Sequence, residues 1–453
     1  MSKKTGLSRR DFLRSAVALG AGGVMVGALP ALAKPARHPQ SALLQSRPTL
    51  NMWWWGEQEL PGLQRWLDRA VASYEGAQIN TLLQDTSVVI SQFQTAAAAG
   101  EAPDIQFLWN GIYHMESVWF GYLEPLDGLV SQEVLDKSGA TALSFYEGRQ
   151  YRVGWYPIPM VHYYNKRLFD QAGLDADNPP KTWDEFLNAC DRLKSAGITP
   201  YGGGIQDGFW GEWFFGQSLV QSLDSPSDAI NLFIGDLDFR EPRYHECWVR
   251  LRELVDLGFL NDDISSLELY PGIDLIVTNR LAMGLSVGTR VPADNALLEG
   301  DLGVMIMPVF GEGALAGKPL LDSQGLGISS QSQHKEVAAD FLEYINQREW
   351  LDAMWEITGW MPSNSDWDSS VIEDPLVAKI WNEWNLGDNI AYVPNLMPAQ
   401  FWTDAMFVAA QAIIAGEMTG EEAGEQNARI AQEWRDFNPD LVENYQIWAA
   451  SLA

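Results

Sequence analysis

A chain of 453 residues, 46% of them apolar, is too long for one ordinary core and too apolar to be disordered, so two globular domains are expected. Its formal charge of −30 repels nucleic acid and anionic membrane surfaces, and it disfavours an anionic ligand unless basic residues cluster locally. Twenty tryptophans are the other departure from ordinary usage, and most of them must fill core or interface space.

At the N-terminus, Ser8-Arg9-Arg10-Asp11-Phe12-Leu13 precedes a glycine-rich apolar run from Ala16 to Leu32, which closes on the small-x-small site Ala31-Leu32-Ala33. The pattern resembles a twin-arginine export signal. Residues 1–33 are therefore expected to be cleaved after the folded protein has crossed the twin-arginine translocase, and the alternative is a retained anchor helix. Residues 34–47 are aperiodic and read as a linker. Lys3, Lys4, Arg9, Arg10 and Arg14 against Asp11 give the leader a charge of +4, which leaves −34 on the remainder. No cysteine lies near the cleavage point to carry a lipid, so a soluble periplasmic protein is expected. Cys190 and Cys247 both fall in helix-like patterns, which fits two buried thiols at least as well as one disulfide.

Beyond the linker a regular alternation begins. Leu50 to Trp55 is a strand-length apolar run, and Leu63, Trp66, Leu67, Ala70, Val71 and Tyr74 recur at helical spacing. Ile79–Leu83 predicts a second strand, Val88–Ala99 a second helix stopped by Gly100, and Ile105–Trp109 a third strand. This β-α-β-α-β order predicts a parallel sheet with right-handed crossovers, whose ligands bind beyond the carboxyl ends of the strands. A second unit starts at Val161-His162-Tyr163-Tyr164, a strand, followed by a short helix to Ala172. Thr182-Trp183-Asp184-Glu185 is a capping box that opens a helix to Gly197. Gly202-Gly203-Gly204 lets backbone approach a ligand, and Trp210 and Trp213 follow it. A helix over about 244–256, a strand over 281–287, an amphipathic helix over 335–347 and two late helices separated by Gly416 complete the pattern.

In the second unit, Tyr164-Asn165-Lys166-Arg167-Leu168-Phe169, Ala172-Gly173-Leu174, Pro179-Pro180-Lys181-Thr182-Trp183-Asp184-Glu185-Phe186 and Leu193 to Pro200 stand in order. Arg280-Leu281-Ala282-Met283-Gly284, Ser329 to Leu342 and Ala415 to Thr419 extend the match over nearly the whole mature chain. The sequence resembles the family 1 extracellular solute-binding proteins, the sugar-binding components of ABC importers. The resemblance implies a periplasmic-binding-protein-like α/β fold of two discontinuous lobes with a ligand cleft between them. The lobes are expected to comprise 48–157 plus about 305–358, and 158–304 plus about 359–453. Crossings are expected near Pro157–Met160, near 300–310 and around Trp360. The resemblance further implies hinge closure on a carbohydrate and recognition by the importer's permease subunits. A monomer is expected. Two departures put the ligand in doubt: Arg290 stands where many members carry Trp, and Trp109 where relatives place a polar residue.

The strand ends nominate Trp54 and Trp55, of which one must face inward as core, and Glu57 and Gln58, which could instead serve a helix N-terminus. Trp109 and Asn110 come from a second strand end in the same crevice. Trp155 lies at the expected crossing. Trp210 and Trp213 are three apart on a helix, so one of them could be core. Arg290 could hold a hydroxyl or carboxylate, or form an interlobe ion pair. Gln324 and Trp360 are expected at the cleft from the resemblance alone. The five histidines are scattered, and no P-loop, G-x-S-x-G, H-E-x-x-H or EF-hand loop is present, so no catalytic residue, metal or cofactor is expected. The alternatives are a receptor for a polyol, sugar acid or compatible solute, or a secreted glycoside hydrolase. The last would need two carboxylates about 5–9.5 Å apart across the cleft.

Overall fold

In the computed structural model, residues 47–452 are described except 87, 110–113 and 139–143. The expected leader, nearly all of the linker and Asn110 therefore lie outside the described residues.

Strands β1 (Thr49–Trp54), β2 (Gln78–Leu83) and β3 (Ile105–Leu108) alternate with helices Leu63–Ser73 and Val89–Ala99. β1 is parallel to both β2 and β3, with Thr49 opposite Gln78 and Met52 opposite Ile105. The expected order and polarity are both observed. A hairpin of β4 (Phe145–Tyr146) and β5 (Arg149–Gln150) leads into β6 (Val153–Asn165), whose thirteen residues are all buried. The second half adds β7 (Tyr201–Gly202), β8 (Met283–Val287) and β9 (Leu302–Met305), and then β10 (Leu320–Ile328) and β11 (Ile390–Ala391). The main sheet runs β2-β1-β3-β10-β6-β8-β7, with β11 beside β10 and β9 beside β6.

β6 joins the halves. It pairs with β10 from Val153 to Met160, then with β8 from Met160 to Tyr164 and with β9 from His162 to Asn165. The short strand expected over Val161–Tyr164 is thus only the second part of a longer one. Pro157 and Pro159 lie before β8 begins, on the stretch of β6 that pairs with β10. The Pro157 carbonyl accepts from Trp360 Nε1 at 2.9 Å, which braces this stretch of β6. Because β6 and β10 serve both halves, Arg47–Ala453 form a single contact unit.

Local chemistry explains the helices. The Thr182 hydroxyl accepts from Glu185 N at 3.3 Å, and the Glu185 carboxylate accepts from Thr182 N at 3.2 Å, which opens Trp183–Ser195. Thr182→Ala is expected to lower stability by about 1 kcal/mol in urea unfolding while leaving the cleft unchanged. Phe209–Leu219 is apolar on nearly every side and is buried on every side. The glycine run before it serves this packing. A Cβ on Gly203 would stand 2.3 Å from the Trp210 ring and one on Gly204 2.1 Å from the Glu268 carbonyl, so these glycines admit a helix rather than a ligand. Cys190 and Cys247 are free and buried. Among the described residues no helix is long and apolar enough to cross a membrane.

Candidate functional site

A cavity of about 580 Å³ opens beyond the carboxyl ends of β1, β2 and β3. Its opposite wall is made by the N-terminal turns of Phe209–Leu219 and Leu269–Val277 and by the end of β8. Strand alternation puts Asp322 and Gln324 of β10 on the same face, and Ile158 and Met160 of β6 likewise. Helical spacing does the same for Phe209, Glu212 and Trp213. Tyr392, Asn395 and Trp402 close the remaining side.

Six of the residues nominated from sequence line this cavity: Trp55, Gln58, Trp109, Trp213, Arg290 and Gln324. Trp55 Nε1 donates to Thr86 Oγ1 at 2.8 Å, and its ring meets Trp109 nearly edge-on with centroids 5.1 Å apart. Both rings are thereby held in place before any ligand arrives. The Arg290 guanidinium pairs with Asp294 at 3.1 Å and Asp274 at 2.9 Å, and reaches the Gln58 carbonyl at 3.4 Å. Beside it, Thr289 Oγ1 donates to the Glu59 carbonyl at 2.7 Å, so the two walls already touch at this point.

Five nominations are corrected. Trp54 alternates away from Trp55 and is sealed in the core, its ring 6.4 Å from that of Trp155. Trp155 belongs to the same cluster, against Trp66. The Glu57 carboxylate accepts from Gly62 N at 3.0 Å and Gln64 N at 2.6 Å, which makes it the cap of Leu63–Ser73. Trp210 is fully buried and donates to the Gly202 carbonyl at 3.0 Å. Trp360, also fully buried, braces β6 through Pro157. Asn110 lies outside the described residues.

The sequence reading missed the carboxylates. Glu59, Glu212 and Asp322 are 4%, 4% and 6% exposed, and Asp85, Asp207 and Glu268 also line the cavity. Glu59 accepts from Tyr156 Oη at 3.1 Å and from Gln324 Nε2 at 3.2 Å, and burial holds its carboxyl well above the usual range. Burial also lifts Glu212 to about 8, against the bond it accepts from Trp402 Nε1 at 2.9 Å and with the repulsion of Asp322 and Asp207. Asp322 is raised to about 6 by burial, moderated by Asn395, the Ser323 N–H and the buried Arg152. Asp207 accepts from Phe209 N at 3.3 Å and Leu269 N at 3.2 Å, and so joins the two helix N-termini. Glu212 was legible in principle, since it precedes Trp213 on the helix already nominated. Asp322 shares the alternation of Gln324. Nothing local marks Tyr392, Asn395 or Trp402.

A cleft walled by strand ends on one side and helix N-termini on the other, within a mixed α/β fold, defines a two-lobed binding protein of the periplasmic-binding-protein type. The sequence profile of the bacterial extracellular solute-binding proteins matches residues 57–350, and the chain belongs to that family. Among solved structures it is similar to a chitin oligosaccharide binding protein (TM-score 0.75, 22% identity, covering 85% of this chain and 98% of that one). It is also similar to an ABC transporter solute-binding protein of Thermotoga lettingae bound with α-D-tagatose (TM-score 0.71, 23% identity, 85% and 99% covered). A sugar transporter of Bacillus licheniformis in complex with stachyose gives a TM-score of 0.68 at 18% identity, with 84% and 98% covered. Among curated sequences, a binding protein of Brucella abortus is 24% identical over 312 residues, 65% of this chain and 71% of that one. The sn-glycerol-3-phosphate-binding periplasmic protein of Rhizobium meliloti is 24% identical over 210 residues, and the match spans less than half of either chain.

Proposed function

We propose that this protein is an exported, non-catalytic receptor that binds a carbohydrate in the cleft and delivers it to the permease of an ABC importer. One observation carries the reading. Aromatic rings (Trp55, Trp109, Phe209, Trp213, Tyr270 and Trp402) and hydrogen-bonding side chains from both walls converge on a cavity of about 580 Å³. Rings offer a surface to the apolar face of a pyranose, and carboxylates and amides accept its hydroxyl protons. The volume lies within the range of about 300–1,000 Å³ usual for small-molecule sites. The proposed lobes are 48–157 with about 305–358, and 158–304 with about 359–453. A guest that contacts both stabilises the closed form selectively and so shifts an existing equilibrium. In this reading the twin-arginine leader places a monomeric receptor in the periplasm.

A phosphorylated guest such as that named for the Rhizobium relative is a poor fit, since six carboxylates line the cavity and Arg290, its one basic residue among those described, is already in two ion pairs. Those carboxylates do give the hydrolase reading a footing, and release of reducing sugar at catalytic turnover from candidate glycosides would overturn the receptor.

Binding is tested by calorimetry over a sugar and polyol panel. Trp109 is half-buried at the cavity wall, so Trp109→Ala is expected to weaken binding at least about 100-fold, while the unliganded melting temperature moves by no more than about 4 °C. A large loss of unliganded stability with binding retained would make Trp109 a packing residue.

A further inference from the structure

We infer that the preferred guest is an amino sugar, a carbohydrate carrying a protonated amine, rather than a neutral one; this rests on the carbohydrate reading above and narrows it. Six carboxylates line the cavity against one basic residue, Arg290, whose guanidinium is spent on Asp274 and Asp294. Three of the six, Glu59, Glu212 and Asp322, are almost completely buried and come from three separate elements: the loop after β1, the Phe209–Leu219 helix and β10. The negative charge they can develop therefore lies inside the cavity and not at its rim.

A second observation marks the cavity as built for a hydrogen-bond donor. Gln324 is 1% exposed and lines the cavity; its amide nitrogen donates to Glu59, and its Oε1 has no hydrogen-bond partner. A buried acceptor left unpaired is unfavourable, and the group that satisfies it must be a donor. Among the described residues no three His, Cys, Asp or Glu side chains converge as a metal ion would require, so the acidic groups are spaced around something larger.

Burial keeps Glu59 and Glu212 protonated in the unliganded fold, and a neutral sugar gives them no reason to ionise as the lobes close. An ammonium brings the compensating charge, carries donors only, and is attracted to the faces of the surrounding rings. Burial has already raised Glu212 and Asp322, to about 8 and about 6, so both groups gain most when a cation enters. The groups facing them are Asp207, Trp402, Tyr392, Asn395 and, behind β10, Arg152.

The experiment uses matched pairs in which an ammonium replaces one hydroxyl on each ring: glucose against glucosamine, galactose against galactosamine, and cellobiose against its diamino counterpart. Calorimetry with the mature protein at slightly acidic pH should find at least one amino sugar bound at least about tenfold more tightly than its neutral twin. The advantage should shrink when NaCl is raised from about 20 to about 300 mM. Glu212→Gln and Asp322→Asn, which keep shape, should cost the amino sugar about tenfold and its twin less than about threefold. The wild-type comparison does not depend on the variants folding. Equal or tighter binding of the neutral twin overturns the inference and leaves the carbohydrate receptor standing. Binding of neither member of any pair, with or without binding of spermidine, overturns both.

Discussion

Arg152→Met is expected to lower the unfolding free energy by about 3 kcal/mol or more, one of the largest losses available from a single side chain. Arg152 is completely buried between β6, β10 and the end of β3. Its guanidinium donates to the Ser323 carbonyl, to the Leu108 carbonyl at 3.5 Å and to Ser144 Oγ at 3.2 Å. Burial lowers its pKa to about 10, which still leaves the group charged at neutral pH, and Asp322 supplies the favourable charge. Methionine fills part of the volume but removes the guanidinium's hydrogen bonds to the Ser323 and Leu108 carbonyls and leaves Asp322 without its cation. Urea unfolding at neutral pH is the measurement, with an unchanged dependence on denaturant. A loss below about 1 kcal/mol would mean that the carbonyls find other partners.

Raising the pH from about 6.5 to about 8.5 should destabilise the unliganded protein by about 2 kcal/mol or more. Burial lifts Glu116 to about 7 and Glu212 to about 8, and lifts Glu59 as well. In the unfolded chain a glutamate titrates near about 4.3. Between that value and the folded one, the native state holds protons that the unfolded state has released, so added base favours unfolding. The contribution is complete below the unfolded pKa and is lost as pH rises through the folded values. His162 acts in the opposite sense. Burial depresses it to about 3, so its contribution is present above about 6.5 and is lost as pH falls. The window above about 6.5 is therefore the clean one. Glu212→Gln should flatten the upper part of the slope while retaining the bond from Trp402. Stability that holds level or rises over this window would show the cavity carboxylates to be ionised in the fold already.

The same physics separates what was legible in the chain from what was not. The parallel β1, β2 and β3, the helices between them and the Thr182 capping box follow from periodicity and from donors and acceptors a few residues apart. Gln324 was placed at the cleft by resemblance, and it lines the cavity. Trp54 and Trp55 show the limit: alternation requires one to face each way, but which way depends on the layer that covers the sheet.

Sequence alone determined the β-α-β-α-β order of the first half, the capped helix at Thr182 and the acidic character of the molecule, because these depend on neighbours along the chain and on composition. Tertiary structure alone decided that β10 returns between β3 and β6 to bring Asp322 and Gln324 beneath the cavity, and that Glu59, Glu212 and Trp402 meet them there. Those groups are separated by scores to hundreds of residues, and only the packed sheet and helices put them within reach of one guest, while burial, which no local pattern encodes, sets their charge.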